Sequence, residues 1–176
     1  RVSLPGGAGF SLDMNSITIP SKAEAEATLR GAIGDLDGYG VPHGADIGFA
    51  IDWAKYIEDA QALLNLSGSG QRSGTIVLTD WYPLNRTLEV DSHVEICGSY
   101  RAKHHLGSSC GFRAEEGFEG DWVLCWKKSR ESANYSNFGA GLRNVHIQSR
   151  DGVGGVYFRG AQQSAGVENL VVRGFG

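Results

Sequence analysis

The sequence contains two matching seven-residue segments, Gly141-Leu142-Arg143-Asn144-Val145-His146-Ile147 and Gly166-Val167-Glu168-Asn169-Leu170-Val171-Val172. Both have glycine first, asparagine fourth and apolar residues at positions two, five and seven, and the second begins 25 residues after the first. Each follows a short apolar segment, residues 122–126 in one case and 156–159 in the other. Two short strands per unit at a period near 25 residues are typical of a coiled β-solenoid.

In a solenoid the two asparagines of this repeat occupy equivalent positions in neighbouring coils. Asn144 then sits above Asn169, and their side-chain amides form a hydrogen-bonded ladder along the stack. Residues 127–140 become a loop inserted in the earlier coil. The alternative is that two unrelated hairpins share a glycine and asparagine pattern.

The chain after Gly74 consists of short β-rich segments separated by glycine and polar residues. They are residues 75–79, 87–90, 94–97, 122–126, 142–148, 156–159 and 167–173. The 26 glycines, about twice the average share, accompany only four prolines. This composition favours a chain that turns often and tightly over a disordered one.

Helices are predicted before the strands. Ser21 and Glu24 form a capping box for a first helix that ends at Gly34. A second helix is predicted from Asp46, as its N-cap, to Leu64. Residues 1–45 are then a lead-in with one short helix, residues 46–74 a capping helix with a Gly/Ser turn, and residues 75–176 the first coils, which we expect to continue beyond Gly176.

The second helix carries an aromatic stripe of Phe49, Trp53 and Tyr56 at helical spacing. Such a stripe is typical of core packing. We expect it to close the first coil and to shield the unpaired edge of its strands, since exposed strand edges invite aggregation.

Composition excludes some classes of partner. The net charge is −4 and no basic stripe stands out, which argues against nucleic acid binding. No apolar run is long enough to predict a membrane span. The three cysteines, Cys97, Cys110 and Cys125, are read as isolated buried thiols. A single disulfide, or a zinc site with His104 and His105, is the alternative, although the irregular spacing does not favour a metal.

A family resemblance rests on three consecutive segments, Gly74-Thr75-Ile76-Val77-Leu78, Leu88-Glu89-Val90 and Val94-Glu95-Ile96-Cys97-Gly98. They resemble the first coil of the pectate-lyase-like superfamily, and residues 44–60 are similar to the helix that precedes it. Residues 155–160 and 167–176 resemble later coils. The resemblance implies a mainly β fold, a right-handed parallel β-helix preceded by an α-helical cap, of the kind found in phage tailspikes, tail fibres and polysaccharide lyases and hydrolases.

The sequence offers few candidates for a polysaccharide site. Hydrolysis needs two carboxylates across the sugar, and a lyase needs a base with calcium or arginine beside the uronate. Glu115, Glu116, Glu119 and Asp121 are read as a solvated acidic loop, with cation binding as the alternative. Asp151-Gly152 is read as a turn. Trp81 and Tyr82, next to a turn, are the best candidates for an exposed aromatic platform that binds carbohydrate.

Three functions remain open from the sequence. The first is a tail fibre or tailspike segment, located in the virion tail. It recognises cell-surface polysaccharide, with or without degrading it. A homotrimer or a further stretch of chain then covers its end. The second is a secreted polysaccharide lyase or glycoside hydrolase, whose catalytic coils follow this segment. If it is a lyase, calcium is the expected cofactor. Otherwise no cofactor and no resident metal are expected. The third is a structural or adhesive solenoid without catalysis.

Overall fold

The computed structural model describes residues 11–13, 15–33, 51–64, 74–99, 110–126, 139–158 and 165–174. Two helices, α1 (Lys22–Ile33) and α2 (Trp53–Gln61), lie among eleven strands. The strands are β1 (Ser11–Asp13), β2 (Ser16–Ile19), β3 (Gly74–Leu78), β4 (Trp81–Val90), β5 (Val94–Gly98), β6 (Gly111–Trp126), β7 (Gly141–Arg143), β8 (His146–Gln148), β9 (Gly154–Tyr157), β10 (Gly166–Glu168) and β11 (Val171–Arg173). The fold is mainly β.

The strands form two sheets that are parallel almost throughout. One has the order β1-β2-β3-β5-β7-β10, in which only β1 and β2 pair antiparallel. The other has the order β11-β8-β6-β4, with β9 also paired to β6 in parallel. The chain passes repeatedly from the first sheet to the second, so each return to the first sheet adds a strand beside the previous one.

The register stacks apolar side chains in columns inside the molecule. One column runs Ile17, Ile76, Ile96, Leu142 and Val167 through the first sheet. A second runs Tyr82, Phe112, Ile147 and Val172 through the other sheet. All members except Val167 and Val172 are buried. Alternation along each strand therefore places residues 81, 83, 111, 113, 146 and 148 on the outer side of the second sheet.

The repeated asparagines turn the chain from the first sheet to the second. Asn144 and Asn169 have φ of 57° and 51°, the left-handed region that asparagine tolerates. Asn169 Nδ2 donates to Asn144 Oδ1 at 3.0 Å, which is the amide ladder that the repeat predicts. At the end of β5, the strand that pairs with β7, a Cβ on Gly98 would lie 2.2 Å from the Asn144 carbonyl oxygen, so only glycine fits there. The predicted strand 142–148 is consequently two strands, β7 and β8.

The first helix agrees with its sequence signals. The Ser21 backbone N–H donates to Glu24 Oε2 at 2.8 Å and the Glu24 N–H donates to Ser21 Oγ at 3.2 Å, as a capping box requires.

Neither helix, among the described residues, is long and apolar enough to cross a membrane.

The second helix begins later than predicted. Its N-cap is Asp52, whose Oδ1 accepts the Lys55 N–H at 3.0 Å. Asp46 and Phe49 lie outside the described residues. Trp53 and Tyr56 are buried, and the Trp53 ring packs on the Tyr82 ring with centroids 4.7 Å apart.

Helix α2 contacts the outer edge of β4 through polar side chains. Glu58 forms a bidentate pair with Arg86, with both N···O distances 2.7 Å, and accepts the Glu89 N–H at 3.1 Å. Gln61 donates to the Glu89 carbonyl at 3.0 Å and accepts the Asp91 N–H at 2.7 Å. Backbone groups that no strand pairs on this side of β4 are thereby satisfied by the helix.

Candidate functional site

Two adjoining cavities lie on the outer side of the five-stranded sheet. The larger, about 700 Å³, is lined by Gln148, Arg150 and Phe118 among others. The smaller, about 270 Å³, is lined by Lys22, Asp80 and Trp81. Arg113 and Gln148 line both cavities, which therefore lie on either side of this pair or above it; we refer to the two cavities together as the Arg113 groove.

The middle of the groove is a pair of side chains from neighbouring strands. Arg113 of β6 and Gln148 of β8 are in register, and Arg113 Nε donates to Gln148 Oε1 at 2.7 Å. Arg113 is exposed, and this bond uses one of its five N–H donors. The remaining guanidinium donors are available to a ligand.

One end of the groove is built on a salt bridge. Lys22 Nζ lies 2.9 Å from Asp80 Oδ1, and the Asp80 carboxylate also accepts the Lys22 and Trp81 backbone N–H groups. Burial raises the pKa of Asp80, but the hydrogen bonds from Lys22 and Trp81 and the charge of Lys22 outweigh burial and hold the pKa below its usual value. Asp80 is therefore an ionised structural acceptor at neutral pH and a poor general acid.

The two residues predicted as an aromatic platform have different environments. Trp81 is half-buried and lines the groove. Tyr82 is fully buried, and its hydroxyl donates to the carbonyls of Ile19 and Pro20 at 3.1 and 3.0 Å. Because successive residues of a strand face opposite sides, Tyr82 belongs to the core and offers no surface to a sugar.

The other end of the groove follows β8. Arg150 Nε donates to the Ala114 carbonyl at 3.1 Å, which fixes the arginine against β6. Asp151 lies beside it on an exposed turn, as the Asp-Gly pair predicts, and contributes a carboxylate to the wall. The turn therefore has a structural role and also reaches the groove.

The charge of the groove favours anions. Lys22, Arg113 and Arg150 are cationic, and the lining carboxylates are Asp80, which is paired with Lys22, and Asp151, so one positive charge is in excess. Arginine binds carboxylates with paired, charge-assisted hydrogen bonds. A half-buried indole beside one guanidinium group, with a second at the other end of the groove, is a combination that can hold an acidic sugar by stacking and by ion pairing.

Other candidates from the sequence are not assembled into a site. Cys97, Cys110 and Cys125 are free thiols, so none of them forms the disulfide considered above. Within the described ranges no group of three acidic, histidine or cysteine side chains is arranged to hold a metal ion. Glu115, Glu116, Glu119 and Asp121 lie within β6 and not in the predicted loop, and the last three are exposed to solvent. His104 and His105 lie outside the described residues.

Sequence reasoning missed four residues of the groove: Lys22, Arg113, Gln148 and Arg150. Each is an ordinary polar residue in its own segment. The parallel register brings Arg113 and Gln148 together, the Asp80 carboxylate holds Lys22, and the Ala114 carbonyl holds Arg150. The one available signal was alternation: with Phe112 in a buried strand, Arg113 must face outward. Comparison of the chain with protein-family models, with curated proteins and with solved structures found no match.

Proposed function

We propose that this chain is a segment of a right-handed parallel β-helix that binds acidic cell-surface polysaccharide along the Arg113 groove. The β-helix is supported by the way that β3, β5, β7 and β10 pair in chain order, each followed by a strand of the second sheet. The hand is inferred because crossovers between parallel strands are right-handed in nearly all proteins.

In the same proposal α1 and α2 form a cap over the first coil. The supporting observation is the set of hydrogen bonds from Glu58 and Gln61 to the outer edge of β4. Lys22 Nζ also donates to the Trp81 carbonyl at 2.6 Å, at the start of the same strand. An edge whose backbone groups are hydrogen-bonded to a helix in this way cannot pair with another strand.

The observation that carries the binding function is that Trp81, Arg113 and Gln148 face outward from three successive strands of the second sheet. Arg113 is in register with Gln148, whereas Trp81 lies two residues earlier in the register, opposite Gly111. The line through these side chains therefore crosses the strands, which lie about 4.8 Å apart, obliquely. A polysaccharide laid along this line meets the indole, then the guanidinium and amide, and then Arg150. A linear glycan is therefore a better fit than a compact ligand.

Binding is favoured over cleavage by the state of the acidic groups. Asp80 and Asp151 are the carboxylates that line the groove in the described residues, and Asp80 is held ionised by three donors. Hydrolysis requires a protonated carboxylic acid and a second carboxylate. We propose a tailspike or tail-fibre type of glycan recognition, in the virion tail or outside the cell and in a homotrimer, over a secreted lyase or hydrolase.

Calorimetric titration with three oligosaccharides tests this function: a galacturonate hexamer, a mannuronate hexamer and neutral cellohexaose. We expect an acidic hexamer to bind and cellohexaose to bind more weakly. Arg113→Ala should weaken binding of the acidic hexamer at least about 10-fold, since a hydrogen-bonded charge pair contributes about 1.5–3 kcal/mol. Trp81→Ala should weaken all binding.

The matched control is Arg143→Ala. Arg143 is also an exposed arginine on a strand, paired with Glu95 at 3.1 Å and hydrogen-bonded to Cys97, but it belongs to the other sheet. It should leave affinity unchanged. Equal loss from both arginine variants would mean that general charge and not the Arg113 groove binds the glycan.

A further inference from the structure

His146 is a buried imidazole with an unsatisfied ring nitrogen. The residue is 3% exposed. Its Nε2 is buried and has no hydrogen-bond partner among the described residues. A buried polar atom without a partner costs free energy, so such an atom in a folded protein requires an explanation.

Its position connects it to the Arg113 groove. His146 and Gln148 lie two residues apart on β8 and so face the same, outer side of the sheet, and Gln148 lines the groove. Trp81, Gly111 and His146 are in register on three successive strands. The groove and the imidazole thus share the same face of the molecule.

Trp81 covers His146. The two ring centroids are 4.8 Å apart with the planes inclined at 60°. Gly111, which lies between them, has no side chain, and so the indole can cross its strand to reach the imidazole. Trp81, which lines the groove, therefore also packs on the imidazole ring that carries the unpaired Nε2.

The imidazole is neutral at neutral pH. Burial lowers the pKa of His146, and the positive charge of Arg173, one strand further along, lowers it again. A neutral imidazole has one donor nitrogen and one acceptor nitrogen, whichever tautomer is present. Either form of Nε2 can pair with a hydroxyl group, which both donates and accepts.

We propose that His146 is a specificity-determining residue of the Arg113 groove, and that a sugar hydroxyl which enters beside Trp81 hydrogen-bonds to Nε2. The inference rests on the proposed function and adds the ligand group that determines specificity, a sugar hydroxyl. The indole must shift from its contact with the imidazole when the ligand enters. A sugar without a hydroxyl at that position leaves Nε2 unpaired, as it is in the free protein, and therefore binds with one hydrogen bond fewer.

The test compares His146→Phe with the wild-type chain in the same titration. Phenylalanine keeps an aromatic ring under Trp81 and removes the unpaired nitrogen. We expect about 5–10-fold weaker binding of the acidic hexamer, the effect of one hydrogen bond, with a thermal midpoint that is unchanged or higher. A merely structural histidine would lower the midpoint and leave the affinity of the folded protein intact.

A second measurement applies even when His146→Phe fails to fold. The ¹⁵N NMR signal of Nε2 in the wild-type chain should shift when the bound hexamer is added, and should not shift with cellohexaose if that sugar does not bind. An unmoved signal, or unchanged affinity in a folded His146→Phe variant, overturns the role of His146.

The proposed function is decided separately by Arg113→Ala. Binding that is lost in Arg113→Ala but unchanged in His146→Phe overturns this inference alone. If the affinity for the acidic hexamer is unchanged in Arg113→Ala, or if none of the three oligosaccharides binds, the proposed function is overturned and this inference with it.

Discussion

Asn144 and Asn169 combine two tasks in one side chain. Each holds a left-handed backbone conformation that turns the chain between sheets, and each gives its amide to the ladder between coils. Asparagine is suited to both, because its short side chain tolerates positive φ and its amide both donates and accepts. The repeat thus marks a structural requirement of the turn.

Two variants of Asn144 separate these tasks. Asn144→Ala should destabilise the protein by about 1–2 kcal/mol, since alanine lacks the polar side chain that lets asparagine tolerate positive φ and also loses the amide bond to Asn169. Asn144→Gly keeps the conformation accessible and loses only the amide bond, so its cost should be smaller, about 1 kcal/mol or less. Urea unfolding measures both; equal costs would mean that positive φ contributes nothing.

A second residue-scale prediction concerns alkaline pH. Burial raises the pKa of the Tyr56 hydroxyl to about 12. In the unfolded chain the value is about 10, so the stability that the neutral phenol contributes is complete below pH 10 and is lost as pH rises towards 12.

Tyr56→Phe is the matched variant for this titration. The wild-type urea midpoint should fall steeply between pH 10 and pH 12, and the fall should be shallower in Tyr56→Phe, which has no phenol at this position to ionise. Parallel pH profiles for the two proteins would contradict this explanation.

At the scale of elements, the edge contact between α2 and β4 gives a sharp comparison of two neighbouring acids. Glu58 bonds to Arg86 and to the β4 backbone, whereas Asp59 makes only an exposed pair with Lys55 at 2.6 Å. Glu58→Ala should cost about 1–3 kcal/mol, because it leaves half-buried partners unsatisfied. Asp59→Ala should cost about 0.5 kcal/mol or less. Chemical denaturation of both variants checks the ratio; a reversal would remove the support for the cap.

Several elements could be predicted because local signals agree with the fold. The capping box marks the start of α1, and the asparagine repeat predicts the pairing of β7 with β10 and of β8 with β11. The start of α2 was predicted too early, since Asp46 and Asp52 are equally good N-caps by residue type. Only the bond from Lys55 identifies Asp52.

Other elements carry too little local pattern to be predicted. The part of β6 that includes Phe112 has a glycine, an arginine and an alanine around one large apolar residue, and β2 is four residues long. The register of β6 with β4 and with β8 is hidden by the long segments that separate these strands in the sequence, whose lengths follow no period. Because the groove depends on that register, its members were not predictable as a set.

At the scale of the whole molecule, the apolar columns run from buried to exposed. Val167 and Val172 are 50% and 47% exposed, whereas the column members in the coils before them are buried. Local opening requires little new exposure where residues are already in contact with water. Stability against opening should therefore decrease along the stack.

Amide hydrogen exchange measures this gradient at matched positions. The Val171 N–H donates to the Val145 carbonyl and the His146 N–H donates to the Cys110 carbonyl, one strand apart in the same register. We expect the Val171 amide to exchange at least about 10-fold faster. Equal protection would show that this end is covered in solution, as a homotrimer would cover it.

The irregular pairing of β4 with β6 has a consequence for how such a molecule can change. Between the aligned pairs Leu84↔Ala114 and Leu88↔Leu124, β4 uses three residues and β6 uses nine, with one aligned pair, Arg86↔Glu119, among them. Regular pairing then resumes with the register shifted by six residues. The extra residues of β6 are exposed for the most part, and two of them, Gly117 and Phe118, form part of the groove wall. The length and composition of this stretch of β6, between Ala114 and Leu124, can vary while the buried columns keep their spacing. Insertion or exchange of a few of its residues, in evolution or by design, can thus change ligand preference without a change in the core.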